Sequence, residues 1–190
     1  MRSRWESPDQ LAKHLGRHKY GGQSKATKHI LPLLPKGTKI VEPFAGHAFV
    51  SLKAKSVGMF EKVVLGDKNC GALSWVKKHR KTENVISKCQ DWRATVRQHD
   101  AKDTVFVFDP PWKAVDKCYT AYKGNCTNFA PQIVEMAKHL KGKSVLLVGD
   151  TPEHRKVVCK SRVFVCHKIT VDSKIFGNKS EWQEIVAVRR

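Results

Sequence analysis

Acids are scarce in this sequence. Seventeen Asp and Glu stand against 36 Lys and Arg, a formal net charge of +19 over 190 residues. Apolar runs of membrane-span length are missing as well, and the opening MRSRWESPDQ has no apolar core of the kind a secretory leader carries. Early acids at Glu6 and Asp9 speak against an organellar transit peptide. Cysteine occurs six times, at 70, 89, 118, 126, 159 and 166, but never as CxxC. A zinc site usually draws on such close pairs, so Cys159, Cys166 and His167 make a poor metal set. The cysteines read as reduced thiols of a cytosolic or nuclear protein. Repeats, low-complexity tracts and linkers are also lacking. What remains is a globular chain, 41% apolar, expected to form one domain over residues 1–190 with a continuous core. A positive surplus of this size on a small domain points to a polyanion, with nucleic acid the default. A membrane surface would call for a basic amphipathic helix with Trp or Leu on its other face, and none stands out.

Apolar, β-rich runs alternate with helical patterns. The strand candidates are 39–43, 62–67, 84–87, 104–109, 144–150, 162–170 and 183–190. The early ones are near-continuous apolar runs, as strands buried on both faces are. Helical spacing predicts helices over 24–34, 47–57, 69–81, 91–97, 129–141 and 152–160, the fifth capped by Thr127 or Asn128. A βαβ order of this kind implies an α/β fold with a mostly parallel sheet and helices on both faces. Ligands of such sheets sit beyond the carboxyl ends of the strands. Glu42, Asp67 and Asp109 all fall there.

Four stretches carry chemistry. In IVEPFAGHAFVSL (40–52), Ala45 and Gly46 let backbone approach a ligand ahead of a helix N-terminus. Asp67, at the tip of VVLGDKN, can accept both hydroxyls of a ribose or lead into the next helix as a cap. Asp91 can accept from an exocyclic amine with Trp92 as an apolar wall; equally, the pair reads as a capping Asp and a core Trp. The fourth stretch is FVFDPPW (106–112). Proline cannot continue a ladder, so the strand stops. Asp109 and the Pro110 carbonyl can then both accept from one NH2 group, while Trp112 offers a stacking face to a flat ring. An amine held by both hydrogens keeps its lone pair for in-line attack on an electrophilic methyl.

The set YGGQSK (20–25), VEPFAGHAFVSL (41–52), GDKN (66–69), CQDW (89–92) and DPPW (109–112) resembles the Dam-like DNA adenine-N6 methyltransferases, in the family's motif order. FGNKSEWQEIVAV (176–188) resembles the family's last hairpin. The resemblance implies a Rossmann-like class I methyltransferase fold, here seven-stranded with a C-terminal antiparallel hairpin, and S-adenosylmethionine as cofactor. Tyr20, Gly21, Gly22 and Gln23 would meet the cofactor's methionine part. Glu42, Pro43, Phe44, Ala45 and Gly46 would form its main loop, Asp67 would hold the ribose, and Asp91 and Trp92 would meet its adenine. Asp109, Pro110, Pro111 and Trp112 would grip the target base, with Asp109 also bordering the cofactor. The sequence departs from the family at Gln23, where Lys is usual (Lys25 lies two residues on), and at Ala48, which replaces a loop glycine after an unusual His47. Only 23 residues lie between Asp67 and Asp91, and 17 between Asp91 and Asp109, which leaves no room for the family's target-recognition region.

After the corner comes a basic loop in which Lys113, Lys117 and Lys123 interleave with Tyr119 and Tyr122. That composition suits a strand whose phosphates meet Lys and whose bases meet rings. Asn178 and Lys179 are expected near it. The function expected is methylation of adenine N6 in DNA on a flipped-out base, with low sequence selectivity or with selectivity lent by a homodimer mate or another protein. The same chemistry on RNA or on cytosine N4 is the enzymatic alternative. A nucleic-acid binder with a degenerate cofactor site is the non-enzymatic one. Protein glutamine methylation uses a similar corner that typically opens with Asn, against Asp109 here.

Overall fold

The computed structural model describes residues 26–79, 83–111, 128–175 and 178–190. Its elements follow the alternation seen in the sequence. They are α1 (Thr27–Ile30, continued by a 3-10 turn over Leu31–Leu33), β1 (Lys39–Glu42), α2 (Phe49–Ser56), β2 (Lys62–Asp67), α3 (Cys70–His79), β3 (Val85–Cys89), α4 (Trp92–His99), β4 (Thr104–Phe108), α5 (Ala130–Ala137), β5 (Lys143–Gly149), α6 (Pro152–Val157, then a 3-10 turn over Cys159–Ser161), β6 (Phe164–Ile175) and β7 (Asn178–Arg189).

The strands form one sheet in the order β3-β2-β1-β4-β5-β7-β6. Pairings from β3 through β5 are parallel; β7 is antiparallel to both β5 and β6. Chain direction reverses its march across the sheet between β1 and β4, the switch point where α/β sheets open a crevice.

The central strands β1, β2, β4 and β5 are buried along nearly their whole length because both faces are covered. Ile40, Val63, Leu65, Val105, Val107, Val145 and Leu147 point into one core, with α1 and α2 residues such as Ile30 and Val50. Val41, Val64, Phe106, Phe108, Leu146 and Val148 point into the other, with Trp92 and Val96 of α4 and Ile133 of α5. Gly66 lets α4 lie close on β2, since a Cβ there would collide with the Thr95 side chain. Asn128 supports the start of α5 by accepting from the Ala130 N–H at 3.0 Å.

Two expectations need correction. The C-terminal strands are longer than the apolar pattern indicates, reaching Ile175 and starting at Asn178. Beyond the end of β5 the two strands continue their ladder with each other, and of the β6 residues there Val171 is buried in the core, so the apolar signal is too sparse to mark the extension. Gly149 at the end of β5 pairs with Glu184, and the six residue pairs from Thr170–Gln183 to Ile175–Asn178 continue past it. This overhang is about 20 Å long at ~3.4 Å per residue, and it rises on the edge where the strand-tip acids lie. Second, four of the cysteines are not reduced thiols: Cys70 is bonded to Cys89 and Cys159 to Cys166, with Cα separations of 5.0 and 5.7 Å. Cys118 and Cys126 lie outside the described residues. No described helix is long and apolar enough to cross a membrane.

Candidate active site

Three carboxyl groups meet at the carboxyl ends of β2, β1 and β4, three neighbouring strands. Glu42, the last residue of β1, is almost wholly buried. Its Oε2 accepts from the Ser51 hydroxyl and, at 3.3 Å, from the Ser51 N–H in the first turn of α2. Burial drives its pKa up to about 8, against the lowering effect of Ser51, and the charges of Asp109 and Asp67 add to the rise. Glu42 is therefore largely protonated at neutral pH. That both other acids act on Glu42 accords with their places at the ends of three adjacent strands.

Asp67 ends β2 and is also buried. Its Oδ2 accepts from Gly46 N–H at 2.8 Å and its Oδ1 from Asn69 N–H at 2.7 Å. Burial raises its pKa, while these backbone donors and that of Lys68 oppose the rise. One carboxylate thus ties the β1–α2 loop to the β2–α3 turn. Asn69, not Asp67, caps α3, through Oδ1 on the N–H groups of Gly71 and Ala72. A carboxylate offers about four acceptor directions, so two strong backbone bonds orient Asp67 and leave capacity for a ligand hydroxyl.

The β1–α2 loop is Pro43 to Ala48. Ala45 N–H donates to Gly66 O at 2.9 Å, which lashes the loop to β2. Gly46 and Ala48 both adopt left-handed backbone, at φ 47° and 55°. Glycine takes that conformation freely; Ala48 takes it at a cost of about 1 kcal/mol, and this is the position where the sequence departs from the loop-glycine pattern. The unusual His47 is buried edge-on to Trp75, with ring centroids 4.9 Å apart.

At the tip of β3, Asp91 is the N-cap of α4, with Oδ1 accepting from Arg93 N–H at 2.8 Å. Its side chain is about half exposed and the Arg93 guanidinium lies 3.8 Å from Oδ2. Trp92 is a core residue, stacked on Phe44 at 5.4 Å and set edge-on to Phe108 and Phe129. Both structural readings of this pair hold, and the exposed carboxylate of Asp91 still faces solvent at the ligand edge. Phe44 likewise serves as packing, against Trp92 and, at 5.4 Å, Phe129.

β4 ends at Phe108, one residue before the acid. Asp109 is partly exposed, Pro110 is buried and Pro111 is partly exposed. Trp112 lies outside the described residues, as do Tyr20, Gly21, Gly22, Gln23, Lys113, Lys117, Tyr119, Tyr122 and Lys123. Asn178 and Lys179 have backbone positions at the far end of the β6–β7 overhang, on the ligand edge. The structure thus brings together Glu42, Asp67, Asp109 and the loop 43–48, with Asp91 one strand further out.

Sequence reasoning missed three participants. Ser51 sits in an ordinary helical stretch, and nothing local marks it as the partner of Glu42. Arg93 stacks over Trp92 at 4.8 Å and donates to Gln132 Oε1 at 2.6 Å, joining α4 to α5. Asp150, at the tip of β5, is a fourth strand-end acid. It is taken up by ion pairs with Arg155 and, at 3.1 Å, Lys168. The Arg155 hydrogen bonds hold its pKa down at about 2.

No family model matches this sequence, and no curated protein does. Solved structures do match in fold. A proposed RNA methyltransferase from Pyrococcus horikoshii superposes with a TM-score of 0.62 at 14% identity, covering 96% of this chain and 98% of that one. Precorrin-6y C5,15-methyltransferase from Geobacter metallireducens gives 0.61 at 11%, covering 93% and 95%. TrmK of M. capricolum, solved with S-adenosylhomocysteine, gives 0.58 at 11%, covering 90% of this chain and 69% of that one. Identities this low speak to fold alone: the chain has the Rossmann-like fold of these methyltransferases, a seven-stranded, mostly parallel sheet closed by an antiparallel pair.

Proposed function

We propose that this protein is an S-adenosylmethionine-dependent methyltransferase that modifies the N6 amine of adenine in nucleic acid. The observation that carries the reading is the convergence of Glu42, Asp67 and Asp109 on adjacent strand tips at the switch point of a methyltransferase-type sheet. In a chain of net charge +19, this acidic pocket edge suits a cationic ligand.

The residues present fit the cofactor. Asp67 is anchored by two backbone donors and keeps acceptor capacity for a ribose diol. Asp91 presents a half-exposed carboxylate to an adenine amine. Gly46 keeps the loop free of side chain where the methionine part would lie. The cofactor supplies the electrophilic methyl. The protein's part is to orient the acceptor: Asp109 and the Pro110 carbonyl take the two hydrogens of N6, leave its lone pair directed at the methyl, and hold the partial positive charge that develops on nitrogen. Trp112 stacks on the extruded ring. The proton leaves N6 toward the Asp109 side of the site, with no enzyme nucleophile and no metal in the scheme.

The motif set favours DNA as the polymer. RNA is the second reading, favoured by the names of several fold neighbours, among them an rRNA methylase of Streptococcus thermophilus and the tRNA m1A22 methyltransferase of B. subtilis. The basic loop 113–123 and the hairpin tip with Lys179 would hold either backbone. Low sequence selectivity, or selectivity lent by a partner, belongs to the same proposal, because the spacing of Asp67, Asp91 and Asp109 leaves no room for a recognition region.

Labelled-methyl transfer to duplex DNA, single-stranded DNA and RNA, followed by nucleoside digestion, tests the proposal. N6-methyladenine from one polymer, abolished by Asp109→Ala with cofactor binding retained, is the expected result. A different methylated atom, or loss of cofactor binding in Asp109→Ala, overturns the assignment of the corner.

A further inference from the structure

We propose that Cys70 and Cys89 form a redox-active site, exchanging with small thiols and disulfides of the glutathione type, whose closure fastens the two loops at the nucleoside end of the cofactor site. The proposal rests on the assignment of Asp67 and Asp91 to that end.

The placement argues for it. Cys70 is the first residue of α3, three after Asp67; Cys89 is the last of β3, two before Asp91. Asp67 and Cys89 are register partners on adjacent parallel strands. The bond therefore joins the β2–α3 turn to the β3–α4 turn directly beside both carboxylates. Both sulfurs lie against the carbonyl oxygen of Lys68, at 4.0 and 3.9 Å, on the residue that follows Asp67. A chain of contacts runs from there: Asn69 caps α3 through Oδ1, and its N–H holds Asp67 Oδ1. The Gln90 N–H adds a second link across the turns, to Asp67 O at 3.0 Å.

Reactivity follows from the surroundings. Both cysteines are exposed, so small reagents reach them. In the open state Cys70 stands at the N-terminus of a ten-residue helix, next to Lys68. Both features favour its thiolate and make it the attacking sulfur. The second bond, Cys159–Cys166, supplies a contrast. It spans seven residues, both its cysteines are only half exposed, and its sulfurs pack against the core beneath α6 and β6, away from the site. It reads as structural.

Closure balances as two exchange steps. The Cys70 thiolate attacks one sulfur of glutathione disulfide, forming a mixed disulfide and releasing one glutathione. The Cys89 thiolate then attacks the Cys70 sulfur, forming the Cys70–Cys89 bond and expelling the second glutathione. The two protein thiol protons end on the two glutathiones; the protein pair is oxidised and glutathione disulfide reduced. With the bond closed, the two turns are pre-set, and less ordering accompanies ligand binding.

The test is to equilibrate the full chain in glutathione buffers of stepped ratio. Free thiols are mapped by maleimide labelling and peptide mass, which also separates Cys118 and Cys126. S-adenosylhomocysteine affinity is measured by calorimetry in each buffer. The expected result is a five- to tenfold weaker affinity (a factor of ten being about 1.4 kcal/mol) as the Cys70–Cys89 pair opens. That dependence should persist in Cys159→Ser/Cys166→Ser and vanish in Cys70→Ser/Cys89→Ser. Equal affinity across buffers in which the pair demonstrably opens and closes overturns the proposal and leaves the cofactor reading standing. Binding in neither state overturns both. The wild-type series needs no variant to fold, so the outcome does not hang on the double mutants.

Discussion

Strand-end lysines gather at the amino edge of the sheet and strand-end acids at its carboxyl edge. At the amino edge, β1, β2 and β5 each open with lysine: Lys39, Lys62 and Lys143. Lys39 and Lys62 are register partners. His99, nearby at the end of α4, has its pKa lowered by burial and then by Lys39, Lys88 and Lys62. At the carboxyl edge the same strands run out to Glu42, Asp67 and Asp150, with Asp109 after β4. The lysines at the amino edge are solvated, and Lys143 is occupied by the Lys36 carbonyl at 2.8 Å. The acids at the other edge are mostly drawn in, and three of them are electrostatically coupled. A strand-end charge at the amino edge serves solubility; a strand-end acid buried near like neighbours incurs a desolvation cost that hydrogen-bond donors, a proton or a ligand must offset. The contrast within the acids is as useful. Asp150 is neutralised by Arg155 and Lys168 inside the protein. Glu42 is neutralised by a proton. Asp67 is held by the backbone N–H groups of Gly46 and Asn69, and with Asp109 it is the acid to which the proposed function gives a ligand.

Substitutions can break that comparison. The largest effect is expected for Asp109→Ala, a loss of methyl transfer of about 10²–10³-fold or more, read by labelled-methyl incorporation. Asp67→Ala comes next, with cofactor affinity reduced about ten- to a hundredfold by loss of a charged acceptor and measured by calorimetry; an unchanged affinity would remove Asp67 from the site. Glu42→Gln concerns stability. Glu42 keeps its proton in the fold up to about pH 8 but loses it around 4.5 when exposed. Between those values the folded state binds more protons than the unfolded one. Stability then falls as pH rises, by up to about 1.4 kcal/mol per pH unit, and levels off above pH 8. Glutamine retains the shape without the titration, so urea denaturation at several pH values should show that slope flattened in the variant. The smallest effect belongs to the amino edge. Lys62→Gln should change stability by no more than about 0.5 kcal/mol and leave cofactor affinity untouched. A large loss of affinity there would erase the distinction between the edges.

Much of this was legible in the sequence, for a physical reason. Buried parallel strands are apolar throughout, so KVVLGD and TVFVFD announce both the strand and its stop, and the acid at the stop lands on the ligand edge once the connections are βαβ. What was not legible depends on register and on distance through space. That Asp67 faces Cys89 across two parallel strands cannot be read from spacing, so nothing in the sequence marks Cys70 and Cys89 as a bonded pair. That Ser51 reaches back to Glu42 depends on how the 43–48 loop turns, through left-handed Gly46 and Ala48. Trp92 shows a different limit. A Trp after a strand-end Asp is compatible with a ligand wall or with a core, and only the packing of Phe44, Phe108 and Phe129 around it decides for the core.

In the proposed function S-adenosylmethionine lies along the carboxyl edge. Calorimetric titration of S-adenosylmethionine into the folded wild-type chain and into Asp67→Ala, both checked by circular dichroism, tests it most directly. Saturable binding at one equivalent per chain is expected in the wild type, with its loss or severe weakening in the variant. Absence of heat from the folded wild-type protein, or equal binding by both, would contradict it.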